Sequence, residues 1–241
     1  MRTISLAFLG AAAIACAATA APKVDWTAIL ADSTRPDADK ARDADRKPAE
    51  VVAFAGVRQG DKIAELAPGG GYFTRILSGA VGPKGIVYAI ARQETPALKA
   101  IAEAKPNVKV AVSAPGTIAV PEPVDLVWTT LNYHDFKNVK VGETDAASVI
   151  NAAAFKALKP GGTYFIVDHE AGKGVGATVT NTLHRIEGAT VRKEVEAAGF
   201  RFEAESPLLR HAADDHSQRV IETGIRGKTD QFVYRFRKPK A

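Results

Sequence analysis

The sequence predicts an α/β fold in which a mostly parallel sheet carries helices on both faces. From about residue 61 onward, short apolar runs alternate with stretches of helical character. The runs are apolar without interruption, which is typical of strands buried on both faces of a parallel sheet. A glycine-rich turn also connects the first apolar run directly to a helical stretch. The alternation and the turn together predict successive strand–helix units.

Seven strands and five helices are predicted in the main part of the chain. The predicted strands are Lys62–Leu66, Ile86–Ile90, Val108–Val112, Leu126–Thr130, Thr163–Asp168, Arg201–Glu205 and Gln231–Phe236. The predicted helices are Ala49–Phe54, Phe73–Ala80, Pro96–Ala104, Asp145–Leu158 and Thr190–Ala198. The segment between the third and fourth strands is too rich in proline for a full helix. The long connection 206–230 has little apolar periodicity, and a loop of that length is expected to be functional or disordered.

The first twenty residues have the composition of a secretory signal peptide. Arg2 supplies the positive charge, residues 4–16 are apolar or small, and Ala18-Thr19-Ala20 fits a cleavage site. The apolar run is too short to remain as a membrane-spanning helix, and no other run is long and charge-free enough. We therefore expect an exported, periplasmic protein without a transmembrane helix. The alternative to cleavage after Ala20 is a lipoprotein signal in which Cys16, the only cysteine, is lipidated. If cleavage follows Ala20, the mature chain has no cysteine and therefore no disulfide or thiolate metal site.

Residues 21–50 form a polar segment that is expected to cap a main domain at 51–241. Acidic and basic residues alternate there at helical spacing, for example at Arg35, Asp39 and Arg42, which predicts one or two exposed helices. The whole chain has a formal charge of +5 and a pI near 9.3. Its charges are interspersed and are not interleaved with aromatic residues, so no nucleic-acid partner is expected.

The stretch DKIAELAPGGGYFT at 61–74 is the strongest functional signal. Glu65 stands near the end of a strand, where its carboxylate can accept hydrogen bonds from hydroxyl or ammonium groups of a ligand. The turn Gly69–Gly71 lets a ligand approach the backbone without meeting a Cβ. The helix that begins near Tyr72 offers unpaired N–H groups. This pattern predicts a nucleotide-cofactor site, although a glycine turn can also simply join a strand to a helix.

The order of motifs resembles a class I S-adenosylmethionine-dependent methyltransferase over residues 51–239. The motifs are ELAPGGG, DLVWTTLNYHDF, and LKPGG leading into TYFIVDHE, with two further strands after them. The segments RDADRKP, LNYHD, LHRIE, VRKEVEAAGF and IRGKTDQFVYRFRKP are similar to a poorly characterised exported branch of that superfamily. The resemblance implies a Rossmann-like, seven-stranded sheet whose last strand is antiparallel. It also implies S-adenosylmethionine as cofactor and leaves the methyl acceptor open, with a small molecule expected.

The resemblance implies a set of cofactor-binding positions. Glu65 matches the acid that reaches the methionine part of the cofactor, and Asn132 matches a position beside the transferable methyl group. Ala67 stands where the family commonly has a glycine. Ala91 stands where the family has an acid for the ribose hydroxyls, and Glu94 is the replacement within reach. The full predicted set is Glu65, Ala67, Gly69, Gly70, Gly71, Tyr72, Glu94, Asn132 and Tyr133.

The residues that follow strands four and five are the candidate catalytic groups, because open α/β sheets bind ligands at the carboxyl ends of their strands. They are His134, Asp135 and His169. Either histidine could act as a general base, since histidine titrates near neutrality. The alternatives are that His134 and Asp135 form a hydrogen-bonded pair that fixes a loop, and that His169 is structural.

A second polar cluster lies in the long connection and comprises His211, Asp214, Asp215 and His216. Metal binding there is conceivable. The expected outcome is a solvated turn in which one of the aspartates caps backbone groups, and we predict no metal site. His184 and Arg185 are expected to be structural.

Two other functions remain open from the sequence. A binding or scaffold protein that has lost catalysis is favoured by Ala91 and by predicted export from the compartment that makes the cofactor. An NADP-dependent oxidoreductase is the third possibility, because Arg92 would suit a 2′-phosphate. Against it, Thr74 stands where a dinucleotide-binding motif has its third glycine.

Overall fold

The computed structural model describes residues 24–221, 224–225 and 227–240. The predicted signal peptide, with Arg2, Cys16 and the motif at 18–20, lies outside the described residues. Its cleavage, the lipidation of Cys16 and export therefore stay predictions. In the part of the chain that is described, no helix combines the length and the apolar character needed to cross a membrane.

Seven strands form one sheet. They are β1 (Lys62–Leu66), β2 (Ile86–Ala91), β3 (Val108–Val112), β4 (Val124–Thr130), β7 (Leu158–His169), β8 (Arg201–Ser206) and β9 (Gln231–Arg237). A separate hairpin consists of β5 (Lys140–Val141) and β6 (Thr144–Asp145). The strand order is β3-β2-β1-β4-β7-β9-β8. Strand β9 is antiparallel to both of its neighbours, whereas the pairings among β1, β2, β3, β4 and β7 are parallel. This confirms the predicted Rossmann-like sheet with its last strand antiparallel.

Helices cover both faces of the sheet, as predicted. They are α1 (Trp26–Ala31), α2 (Asp37–Lys40), α3 (Asp43–Arg46), α4 (Pro48–Ala55), α5 (Tyr72–Val81), α6 (Pro96–Ala104), α7 (Tyr133–Lys137), α8 (Ala146–Ala157), α9 (Thr180–Leu183) and α10 (Gly188–Ala197). One buried cluster joins α4, α5 and α6 to one face around Trp128 and Phe165. The other joins α8 and α10 to the opposite face around Tyr164 and Phe232. The proline-rich segment between β3 and β4 forms no helix.

The strand that follows α8 begins earlier than the sequence indicates. It starts at Leu158 rather than Thr163, because Leu158 already pairs with Val124 of β4. The register then shifts, and Leu126 pairs with Thr163. The motif LKPGG is therefore part of an irregular first half of β7 and not a separate turn. Gly161 takes a φ of +76° there, in the left-handed region that glycine tolerates.

The N-terminal segment contains three short helices, α1 to α3, before α4. None of these three helices contains a buried residue, but one charged residue between α1 and α2 is buried. Arg35 is only 2% exposed and donates to both carboxylate oxygens of Asp43 at 2.9 and 2.6 Å. Asp43 in turn accepts a hydrogen bond from the Tyr72 hydroxyl at 2.7 Å. The ion pair thus orders the segment internally, and the hydrogen bond from Tyr72 holds the segment against the start of α5. Helix α4 crosses the predicted boundary at residue 50, and the division into a cap and a main domain stays a prediction.

Candidate functional site

Two adjoining cavities open at the carboxyl ends of β1, β2 and β4. The first, the Glu65 cavity, has a volume of about 240 Å³. Its lining includes Arg46, Glu65, Gly69, Gly70, Tyr72 and Asn132. The second, the Ala91 cavity, has a volume of about 120 Å³. Its lining includes Leu66, Ile90, Ala91, Arg92, Ser113 and Ile150. Ala67 lines both cavities, so a single ligand could extend from one into the other.

Glu65 supplies a buried carboxylate at the end of β1. Its side chain is 2% exposed and accepts a hydrogen bond from the Thr74 hydroxyl at 2.6 Å. Burial raises the pKa of Glu65 to about 7, although the hydrogen bond from Thr74 acts in the opposite direction. The carboxyl group is therefore poised between its neutral and charged forms near neutrality. A cationic or hydroxyl group of a ligand would favour the charged form.

The glycine turn presents bare backbone to the Glu65 cavity. Gly69 has a φ of +57°, and a Cβ added at Gly69 or Gly70 would meet no protein atom within 4 Å. A Cβ at Gly71, by contrast, would collide with Ile101 of α6. Gly71 therefore serves the packing of α5 against α6, whereas Gly69 and Gly70 leave room for a ligand. Ala67 also takes a left-handed φ, of +49°, a conformation that glycine adopts more readily than alanine.

The Ala91 cavity is mainly apolar and contains no carboxylate among its lining residues. Ala91 is the last residue of β2 and lines this cavity, at the position where the sequence resemblance leads us to expect an acid. Glu94 is exposed and lines neither cavity, so the structure does not bring it to the place that the sequence suggested. The polar side chains on this wall belong to Arg92, Ser113 and Thr117.

A third cavity, the His169 cavity, adjoins the Glu65 cavity and has a volume of about 560 Å³. The two share Arg42, Arg46 and Leu131. His169 lines the third cavity, and its Nδ1 lies 2.8 Å from the hydroxyl oxygen of Thr229. Burial lowers the pKa of His169 to about 4, so its ring is neutral at pH 7. Leu131 has a φ of +59°, a strained conformation for a bulky residue that is often found at functional sites.

The residues after β4 divide between the cavity and the protein interior. Asn132 lines the Glu65 cavity and donates to the backbone carbonyl of Ala67 at 3.3 Å. Tyr133 is fully buried, donates to Glu194 at 2.8 Å and accepts a hydrogen bond from Asn151. His134 is also buried and lines none of the three cavities. The turn into α7 at Tyr133 directs both side chains away from the cavities, so the geometry does not support a cofactor contact for Tyr133 or base catalysis by His134.

His134 has a stronger partner than the neighbouring aspartate that the sequence suggested. Its Nδ1 lies 2.7 Å from Asp168 Oδ1, whereas its Nε2 lies 3.4 Å from Asp135 Oδ1. Burial alone would lower the pKa of His134, but the charge and the hydrogen bond of Asp168, together with the charge of Asp135, raise it. Asp135 itself is half exposed. The three predicted catalytic residues are thus close in space, but only His169 faces a cavity.

In the polar cluster of the long connection, both aspartates accept hydrogen bonds from backbone groups, but Asp214 is not solvated, because it is paired with a buried arginine. Asp214 accepts two hydrogen bonds from Arg185 at 2.8 and 3.0 Å and a third from the backbone N–H of Asp230. Asp215 accepts hydrogen bonds from the backbone and the hydroxyl group of Ser217. Arg185 is completely buried and structural.

Arg42 and Arg46 were not recognised as site residues in the sequence. They belong to the N-terminal segment, and their guanidinium groups lie 5.4 and 4.5 Å from the centre of the Tyr72 ring. Their spacing of four residues places them on one side of a helical segment, and this spacing is the sequence signal by which they could have been recognised as a pair. Nothing in the sequence indicated that this side would face the glycine turn.

No protein-family model and no curated protein sequence matches the chain. Solved structures do match its fold. An S-adenosylmethionine-dependent methyltransferase from Aquifex aeolicus is 20% identical, with 84% of this chain and 95% of that chain covered and a TM-score of 0.60. The [4+2]-cyclase SpnF is 15% identical, with 82% of each chain covered and a TM-score of 0.61. Aeropyrum pernix fibrillarin with natively bound S-adenosyl-L-methionine is 15% identical, with 81% of this chain and 76% of that chain covered and a TM-score of 0.51. At these identities the comparisons show the class I methyltransferase fold.

Proposed function

We propose that the protein is an S-adenosylmethionine-dependent methyltransferase that acts on a small molecule outside the cytoplasm. The observation that carries this proposal is the pair of cavities that meet at Ala67, one lined by bare glycine backbone and a buried acid and the other by apolar side chains. Sites for small ligands usually enclose about 300–1,000 Å³, so neither cavity alone would hold a nucleoside cofactor. The two together offer a polar end and an apolar end.

The residues present fit the two ends of this cofactor. The carboxylate of Glu65 can accept hydrogen bonds from an ammonium group. Gly69 and Gly70 carry no side chain and so leave space for the ligand against the protein backbone. Leu66, Ile90 and Ile150 offer an apolar environment for an adenine ring. When bound, S-adenosylmethionine supplies a methyl group already activated on a sulfonium sulfur.

The His169 cavity is the proposed acceptor site. Its volume of about 560 Å³ lies within the usual range for small-molecule sites, and it shares Leu131 with the Glu65 cavity. His169 is neutral at pH 7 and a weak base, since its pKa is lowered to about 4. The protein would therefore act mainly by aligning the acceptor with the methyl group and by excluding water. An acceptor that needs a strong base would not be served by His169.

The proposed location outside the cytoplasm rests on residues 1–20 alone. Their positive start, apolar run and A-x-A motif are the features of a secretory signal. A fusion of residues 1–20 to a reporter enzyme tests this point independently of the cofactor.

Calorimetric titration of the purified protein tests the cofactor assignment. The titrants are S-adenosylmethionine, S-adenosylhomocysteine and NADPH, each in the same buffer. We expect the first two to bind with micromolar dissociation constants and NADPH not to bind. Binding of none of the three would contradict the proposal and favour a scaffold protein. Binding of NADPH alone would favour an oxidoreductase.

A scaffold function remains the second candidate because of one observation. The wall of the Ala91 cavity has a methyl group where an acid would hold the ribose, and unsatisfied ribose hydroxyls would each weaken binding by about 1–3 kcal/mol. Structural similarity to a protein named as a cyclase also shows that this fold is not restricted to proteins named as methyltransferases. For the oxidoreductase, Arg92 lines the Ala91 cavity. The antiparallel β9, however, differs from the parallel six-stranded order of dinucleotide-binding domains.

A further inference from the structure

Two residues of α7, His134 and Asp135, meet His184 outside the three cavities. His134 Nε2 lies 3.4 Å from Asp135 Oδ1, and His184 Nδ1 lies 3.3 Å from the same oxygen. One ligand atom from each of the three residues lies within 4.8 Å of the other two. Donor atoms bound about 2.1 Å from a tetrahedral Zn²⁺ are about 3.4 Å apart. The two separations that share Asp135 Oδ1 therefore match two edges of a zinc coordination tetrahedron.

Asp168 holds His134 in the orientation that a metal ligand requires. This carboxylate is completely buried, and its Oδ1 lies 2.7 Å from His134 Nδ1. It also accepts hydrogen bonds from the backbone N–H groups of His134 and His169, each at 2.8 Å. When Nδ1 donates its proton to Asp168, Nε2 is the ring nitrogen whose lone pair is available to a metal ion, and it lies on the side of Asp135. Histidines that bind metals commonly donate their other ring nitrogen to a carboxylate in this way.

His184 reaches the cluster from the end of α9. Its φ of +55° places it in the left-handed region, which is uncommon for a residue other than glycine. Arg219 lies 3.1 Å from His184 Nε2, so the guanidinium donates to that nitrogen. If Nδ1 binds a metal, Nε2 must carry the proton, and Arg219 must move away. Arg219 is exposed, so its displacement into solvent requires no rearrangement of the core.

We propose that His134 Nε2, Asp135 Oδ1 and His184 Nδ1 bind a divalent transition-metal ion of the Zn²⁺ type. Two imidazoles and one carboxylate form a donor set typical of zinc sites that keep a fourth position for water. The half-exposed Asp135 and the partly exposed His184 leave this position accessible from solvent. The site departs from the sequence expectation of no metal, and it is independent of the proposed methyl transfer. It lies next to the His169 cavity, since the rings of His134 and His169 are 6.0 Å apart.

The test is calorimetric titration of the tag-free, chelator-treated protein with ZnCl₂. We expect one Zn²⁺ per chain, and we expect His184→Ala to weaken binding by at least about 100-fold, because loss of an outer-shell partner alone causes about 10–100-fold and His184 is a direct ligand. His216→Ala is the matched control, because its side chain has a similar exposure, 26% against 24%, and contacts Asp230 instead. Equal Zn²⁺ affinity in the two variants, or no Zn²⁺ binding by the unaltered protein, would overturn the proposal.

Two further measurements test the assigned atoms. Arg219→Ala should strengthen Zn²⁺ binding, because it removes the hydrogen-bond donor that opposes a proton on His184 Nε2. Weaker binding would contradict Nδ1 as the ligand. The Co²⁺-loaded protein should show the visible absorption of a tetrahedral ion, and His184→Ala should lose it. Because His184 is partly exposed on a loop, this variant is expected to fold, which circular dichroism verifies.

Discussion

The Glu65 cavity and the Ala91 cavity adjoin each other but differ in the polarity of the side chains that line them. The first gathers charged and polar groups from three separate parts of the chain, including Arg46, Glu65 and Asn132. The second is lined mainly by apolar side chains of β2, α8 and the loop after β3, and its lining includes no carboxylate. The difference indicates that ligand orientation is set in the Glu65 cavity, while the Ala91 cavity contributes mainly burial of apolar surface.

The largest expected effect comes from filling the bare backbone of the Glu65 cavity. Gly69→Val should weaken S-adenosylhomocysteine binding by at least about 100-fold, or about 2.7 kcal/mol, because a branched side chain would occupy ligand space. Calorimetry measures the affinity. The matched control is Gly60→Val, since Gly60 also has a positive φ, of +86°, and open space at its Cβ, but lines none of the three cavities. Unaltered affinity in a folded Gly69→Val protein would show that the cofactor does not bind in this cavity.

The next effect should come from giving the Ala91 cavity the acid that it lacks. Ala91→Asp should strengthen S-adenosylhomocysteine binding by about tenfold or more, because hydrogen bonds to a charged group contribute about 1.5–3 kcal/mol. The comparison variant is Glu94→Ala, which should leave affinity within about twofold because Glu94 lines neither cavity. A clear loss of affinity in Glu94→Ala would show instead that Glu94 reaches the ribose.

The pH dependence of binding should distinguish the charged cavity from the apolar one. The folded-state pKa of Glu65 is raised to about 7, so its carboxyl group is mostly protonated below that pH. A ligand ammonium group favours the ionised form, and affinity should therefore rise about fivefold from about pH 6 to about pH 7, where an α-amino group with a pKa of about 7.7–8.0 is still mostly protonated. Glu65→Gln should bind more weakly and show a flat profile. An identical pH profile in the two proteins would exclude Glu65 as the titrating group.

The smallest expected effect concerns the residue that the two cavities share. Ala67 has a φ of +49°, which strains any residue with a Cβ by about 1–2 kcal/mol. Ala67→Gly should raise the free energy of unfolding by about 0.5–1 kcal/mol, after allowance for the greater freedom of glycine in the unfolded chain. Chemical denaturation measures the change. Ala64→Gly, in the buried middle of β1, should lower stability instead. A destabilised Ala67→Gly protein would show that the Ala67 methyl group has a packing role that outweighs the strain.

Much of the fold was predictable because its signals are local. The strand at Lys62–Leu66 and the helix at Pro96–Ala104 have the predicted bounds, since apolar runs, prolines and glycines act within a few residues. The strand beginning at Leu158 was predicted too late because its first pairing depends on Val124, more than thirty residues away.

The sequence by itself determined the alternation of strands and helices and the glycine turn that leaves room for a ligand. Only the tertiary structure decided which polar side chains face that room. It buried Tyr133 and His134, brought Arg42 and Arg46 over the turn, and left Glu94 outside. The physical reason is that backbone conformation follows from neighbouring residues, whereas the direction and the ionisation of a side chain depend on partners that are distant in the chain, such as Asp168 for His134.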